Sequence, residues 1–297
     1  MTLPAPGKPA RKVTAPRPRM VAPALPGRQA MEAWLAATRG VALEAALSAA
    51  QQVMYDAWDQ TTRRSRVALA RKALGISPLC ADAYNLLAGE AGSAAEALDL
   101  YARGLAAGEL ALGPEGFEAY AGHFWGHLET RPYMRARHGL ALALLERGEE
   151  DAALEHFRAM LELNPNDNQG IRYLLLAVLL GRDDTEAVKR LLASYGDEWS
   201  THWAYTRALL AYREGRAGQA ATLKLLRDAR SINAYVPAIL AGTRAPDPSR
   251  TGYITVGGAD EATEYVRSCG AAWERTPGAI EWLATTTGRR RTSKSAR

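Results

Sequence analysis

The stretch GHFWGHLETRPYMRAR (residues 122–137) holds the densest set of side chains able to do chemistry in the chain. His123 and His127 stand four apart, the spacing that presents two imidazoles from one face of a helix. Zinc hydrolases use that spacing with a glutamate directly after the first histidine, as the base that activates water. Phe124 holds that position here. Glu129 and His138 are the nearest further ligands, so a metal-binding or hydrolytic centre on His123, His127, Glu129 and His138 is one reading. Zinc needs three or four ligands arranged in space, and the spacing supplies two. No Gly-rich phosphate loop, nucleophile elbow or Ser/His/Asp pattern occurs elsewhere. The expectation is a non-enzymatic protein with neither cofactor nor metal.

The elements that must position these residues are helical. The 297 residues are rich in Ala and Leu, and the apolar positions recur at helical spacing. The longest apolar run, YLLLAVLLG (residues 173–181), is too short to span a bilayer. The first 28 residues carry no apolar run of signal-peptide type. The two cysteines, Cys80 and Cys269, are read as thiols of a reducing compartment, with the cytoplasm as expected location.

Charge is unevenly placed. Residues 1–28 carry six basic side chains, no acid and seven of the fifteen prolines; residues 289–297 carry five more basic ones. Removing these eleven from 37 leaves 26 basic against 32 acidic side chains in residues 29–288. A mildly acidic body does not grip nucleic acid, which leaves weak attraction through the tails as that alternative. Both tails, 1–28 and 287–297, are expected to be disordered and solvated.

Within the body, LALALLERGEEDAALEHFRAMLELNPND (residues 140–167) reads as a helix closed by Gly148, then a second helix with Ala153 and Phe157 on one face. Thirty-four residues on stand Ala187 and Leu191; after a further 34, Ala221 and Leu225. Ala97 and Tyr101 repeat the spacing earlier. These residues resemble the tetratricopeptide repeat, and the resemblance implies an all-α right-handed solenoid of helix pairs. It covers about residues 64–235, best in residues 134–167, and lacks the consensus Trp of the first helix. We expect a helical repeat domain over 29–242, a loop over 243–259, and two helices over 260–286 that cap the far end. Asp260 and Thr130 are the expected N-caps of two helices, and a helix is expected over about 114–128.

In tetratricopeptide proteins the first helices line a concave groove. That register implies peptide binding by Arg131, Arg135, His138, Gln169, Arg172, Trp203 and Arg207, with an acidic peptide or protein as partner. The Lys and Asn pattern of the carboxylate-clamp subset is absent, since His138 and Leu142 occupy the corresponding positions. The competing reading gives the arginines to ion pairs with Glu129 and Glu146. MYDAW (54–58), ISPLCADAYNLLAGE (76–90), residues 122–137 and LNPNDNQGIRYLLL (163–176) also resemble a group of bacterial repeat proteins related to the suppressor-of-tumorigenicity-seven family. That resemblance implies helical repeats and transfers no catalytic residue.

Overall fold

The computed structural model describes residues 24–38, 40–247 and 253–285. Among these, the chain forms fourteen α-helices and one 3-10 turn, with no strand. In order they are α1 (Arg28–Ala37), α2 (Val41–Trp58), α3 (Arg63–Ile76), α4 (Ala81–Gly89) and α5 (Ala94–Tyr120). The turn Phe124–Gly126 precedes α6 (Arg131–Glu146), α7 (Glu150–Leu163), α8 (Ile171–Gly181), α9 (Thr185–Ser194), α10 (Thr201–Arg213) and α11 (Ala220–Ile232). The chain ends with α12 (Val236–Leu240), α13 (Ala259–Glu274) and α14 (Ala279–Thr285). Neighbours pack as pairs: α2 with α3, α4 with α5, α6 with α7, α8 with α9, α10 with α11.

Three of the helices end in one recurring way. Gly148 takes a positive φ after α6, its amide bonds Leu145 O, and the Glu149 amide bonds Leu144 O. This Schellman arrangement satisfies carbonyls that the helix itself leaves open. Gly215 closes α10 in the same way onto Tyr212 and Ala211. Asp183 closes α8 onto Leu180, with Asp184 reaching Leu179, although it is not glycine and its φ is 54°. Starts are capped as well: the Thr62, Ser93 and Asp184 side chains accept from the amides of Ser65, Glu96 and Ala187.

Two apolar clusters make the core. One runs from Met31 through α2–α5 to Ala107, and the other from Phe124 through α13 to Leu283. Tyr101 packs against both. Between them α5 and α6 come very close. A Cβ at Gly108 would stand 2.8 Å from Tyr133 Cβ, and one at Gly104 would stand 3.3 Å from Ala136 Cβ. Glycine at these two positions is what lets the clusters join.

Several expectations are corrected. The helix expected over 114–128 is the end of α5, which breaks at Gly113 and stops at Tyr120. Thr130 occupies the N-cap position of α6, but its hydroxyl turns back to the His127 and Phe124 carbonyls instead of capping. The N-cap of α13 is Gly258, while Asp260 sits in the first turn and accepts from the Thr255 and Glu261 amides. The expected tail 1–28 runs too far: Arg28 opens α1, and Arg103 of α5 holds the Leu25 and Pro26 carbonyls. The remainder of that tail, 1–23, and residues 286–297 lie outside the described residues. Finally, α13 does not simply cap an end. It packs on both α8 and α10, across two first helices, and buries Tyr265, Cys269 and Trp273 there.

Candidate functional site

The face built by α2, α4 and α6 centres on Asp82, which is wholly buried. Arg135 grips it with two parallel bonds, Nε to Oδ1 at 2.8 Å and Nη2 to Oδ2 at 2.5 Å. Gln51 Nε2 donates to Oδ2 at 3.1 Å and Asn85 Nδ2 to Oδ1 at 3.2 Å. The same Asn85 nitrogen reaches the Pro132 carbonyl at 2.9 Å, tying α4 to the start of α6. A buried carboxylate is tolerated when its lone pairs are filled in this way. With no solvent access it organises its neighbours; it is not placed to exchange protons with a substrate.

Above this hub the guanidinium of Arg135 lies 5.7 Å from the Trp58 ring, and Trp58 lies 5.7 Å from Tyr55. Both rings remain open, Tyr55 at 46% and Trp58 at 43% exposure. Gln51, Tyr55 and Trp58 follow i, i+4, i+7 spacing and so share one side of α2. Arg135, His138 and Leu142, at i, i+3, i+7 spacing, share one side of α6, and Leu142 is also exposed. Burial pushes the His138 imidazole below its usual range, so it is neutral at pH 7. Its Nε2 has no partner among the described residues. The result is an aromatic shelf braced from beneath by an ion pair. Such a face can stack, exclude water and donate hydrogen bonds.

The other expected binding residues are differently employed. Arg131 donates to the Trp125 carbonyl at 3.0 Å and lies over the Trp125 ring. Gln169 is half-buried, with its Oε1 unpartnered. Arg172 is an interior brace: Nε and Nη2 bind Glu198 at 3.0 and 2.6 Å, and Nη1 binds Asp167 at 3.0 Å. Glu198 is held below its ordinary range, because the Ser200 amide and Arg172 outweigh its partial burial. Arg207 ties down the loop before α10 through the Gly196 and Glu198 carbonyls. Trp203 was expected on an open groove and is instead fully buried, edge-on to Tyr173 and Tyr195. The face of α8 and α10 is covered by α13, where the ring of His202 lies between Tyr173 and Tyr265 and its Nε2 meets Ser268 Oγ at 3.3 Å.

The histidine cluster does not assemble. His123 and His127 flank the short 3-10 turn and are exposed, so the four-residue spacing never becomes one helix face. Glu129 is exposed and forms no ion pair with Arg131 or Arg135 among the described residues. Among those residues no group of three or more His, Cys, Asp or Glu side chains is placed to hold a metal. Burial raises both Cys80 and Cys269 to about 12, so neither thiol is primed as a nucleophile.

Sequence reasoning missed Gln51, Tyr55, Trp58, Asp82 and Asn85. The first three carry a signal, large polar and aromatic residues at helical spacing on an otherwise Ala-rich helix. Asp82 carries none, because an acid in a first turn usually serves the helix dipole. Its partner lies 53 positions away. No family model matches this chain, and no curated protein matches it.

Proposed function

We propose that the protein is a non-enzymatic scaffold that binds a peptide or protein segment on the α2/α4/α6 face. The observation that carries this reading is the exposed Tyr55–Trp58 pair held against Arg135, whose guanidinium is fixed by the buried Asp82. Aromatic and arginine side chains that are already held in place lose little entropy on binding, and they dominate the energetics of many interfaces. Arg135 Nη1 makes no hydrogen bond among the described residues and remains for a carbonyl or carboxylate of the ligand. In the same reading the helix pairs continue as a right-handed solenoid of tetratricopeptide type. Two buried thiols suit a reducing, cytoplasmic setting. No described helix is long and apolar enough to cross a membrane.

The test is selection of a displayed peptide library on the full chain, with the binders measured against Tyr55→Ala/Trp58→Ala. Truncating two such rings should weaken binding by about 2 kcal/mol or more, roughly thirtyfold. Peptides that bind the native and doubly substituted chains equally well would place binding elsewhere.

A further inference from the structure

A second surface is independent of that reading. Among the described residues ten large apolar side chains are exposed, and half of them lie close in sequence to the partners of one buried group: Trp199, Tyr235, Tyr253, Ile254 and Val256. They come from three separate segments gathered by one buried carboxylate. Glu261, in the first turn of α13, accepts from the Thr201 amide at 3.3 Å, Asn233 Nδ2 at 3.3 Å and the Gly257 amide at 2.7 Å. Trp199 is two residues before Thr201, Tyr235 two after Asn233, and Val256 directly before Gly257. The intervening bonds keep the Cα atoms of these three within roughly 20 Å of one another. The Asn233 side chain reinforces the junction, since Nδ2 also bonds the Gly258 carbonyl and Oδ1 accepts from the Tyr235 amide.

The patch is therefore held on a rigid base. Tyr253 is 81% exposed, Trp199 and Val256 each 64%. With about 150–250 Å² available on each aromatic side chain, the five residues uncover on the order of 600 Å² of apolar surface. That equals the upper end of the largest apolar patch on a typical monomer, a size that often marks a functional surface. It is close to the roughly 800 Å² per partner of a standard protein interface. The exposed charges beside it are of both signs: Arg244, stacked on the Tyr235 ring at 4.5 Å, with Asp247 and Asp197. A membrane with anionic headgroups would meet the two acids unfavourably. A two-fold copy of the same surface can set Arg244 of one chain against an acid of the other, as a self-complementary interface requires.

We propose that this apolar surface around Glu261 is a homodimer interface, with a second copy of the chain as its occupant. Sedimentation velocity of the full chain from about 1 to about 100 μM should show a concentration-dependent dimer. Ile254→Asp and Trp199→Ala change only exposed side chains, so the circular dichroism spectrum should be retained. Each should raise the dimer dissociation constant at least about tenfold. A chain that stays monomeric throughout overturns the proposal. So does a dimer of unchanged affinity in both variants, or a monomer that instead sediments with phosphatidylcholine/phosphatidylserine vesicles through Ile254. None of these results bears on the Tyr55–Trp58 face, whose peptide affinity is measured separately.

Discussion

Replacing Arg135 by methionine keeps most of the side chain's volume and strips the charge from the only cation bonded to Asp82 among the described residues. The carboxylate it leaves behind has no exposure, whereas Arg135 itself is 37% exposed. Stranding a buried charge costs about 3–5 kcal/mol. Gln51 and Asn85 continue to donate to Asp82, so the cost falls to or just below the bottom of that range, about 2–3 kcal/mol. Asp82→Asn is the milder change: it leaves a cation that can turn towards water, and its cost is about 1–2 kcal/mol. The two substitutions together remove the stranded charge. The double variant should therefore be more stable than the sum of the single effects allows, with a coupling of at least about 1 kcal/mol. Urea unfolding followed by circular dichroism at equal slope measures all four proteins. Strict additivity, or a loss below about 0.5 kcal/mol for Arg135→Met, would refute the claim that Asp82 depends on this arginine.

Two further predictions concern the interior. Alanine for glycine in a helix normally stabilises by about 1 kcal/mol. At Gly139 the new Cβ would fall inside the Tyr101 ring, so Gly139→Ala should instead destabilise by about 1–2 kcal/mol. In a Tyr101→Ala background the same change should become stabilising, and unfolding midpoints that do not change sign would contradict the packing described. Burial lowers His202 from its ordinary 6.5 to about 4. Between these values the unfolded chain binds a proton that the folded chain refuses, so the contribution is present above pH about 6.5 and lost as pH falls to about 4. It amounts to roughly 3 kcal/mol at most. Stability should thus fall more steeply with acid in the native chain than in His202→Gln, and parallel curves would count against a neutral buried imidazole.

Much of the fold was legible because helical periodicity and chain-breaking residues act locally. Gly148 and the 34-residue recurrence of Ala153/Phe157 with Ala187/Leu191 mark helix pairs without any knowledge of their packing. The ends of helices were less legible. Thr130 prefers the carbonyls of the turn before it, and Gly113 breaks α5 just ahead of Pro114, where a separate helix was expected. The candidate site was half visible: Arg135 and His138 stood in the right register, but the register could not distinguish an arginine facing solvent from one closing an interior ion pair. Arg172 and Trp203 show the difference, since both lie in equivalent first-helix positions and both are covered.

The sequence by itself determined the helical class and the separation of a mildly acidic body from basic termini, because each depends on neighbours within a few residues or on composition. Only the tertiary structure decided which surfaces are open. It brought Asp82 to Arg135 and gathered Thr201, Asn233 and Gly257 on Glu261. It also laid α13 across α8 and α10. The physical reason is that most of these contacts join residues far apart in sequence, 53 positions for Asp82 and Arg135 and 60 for Thr201 and Glu261. For the distant pairs, a carboxylate's partner is set by helix packing, and no local spacing encodes it.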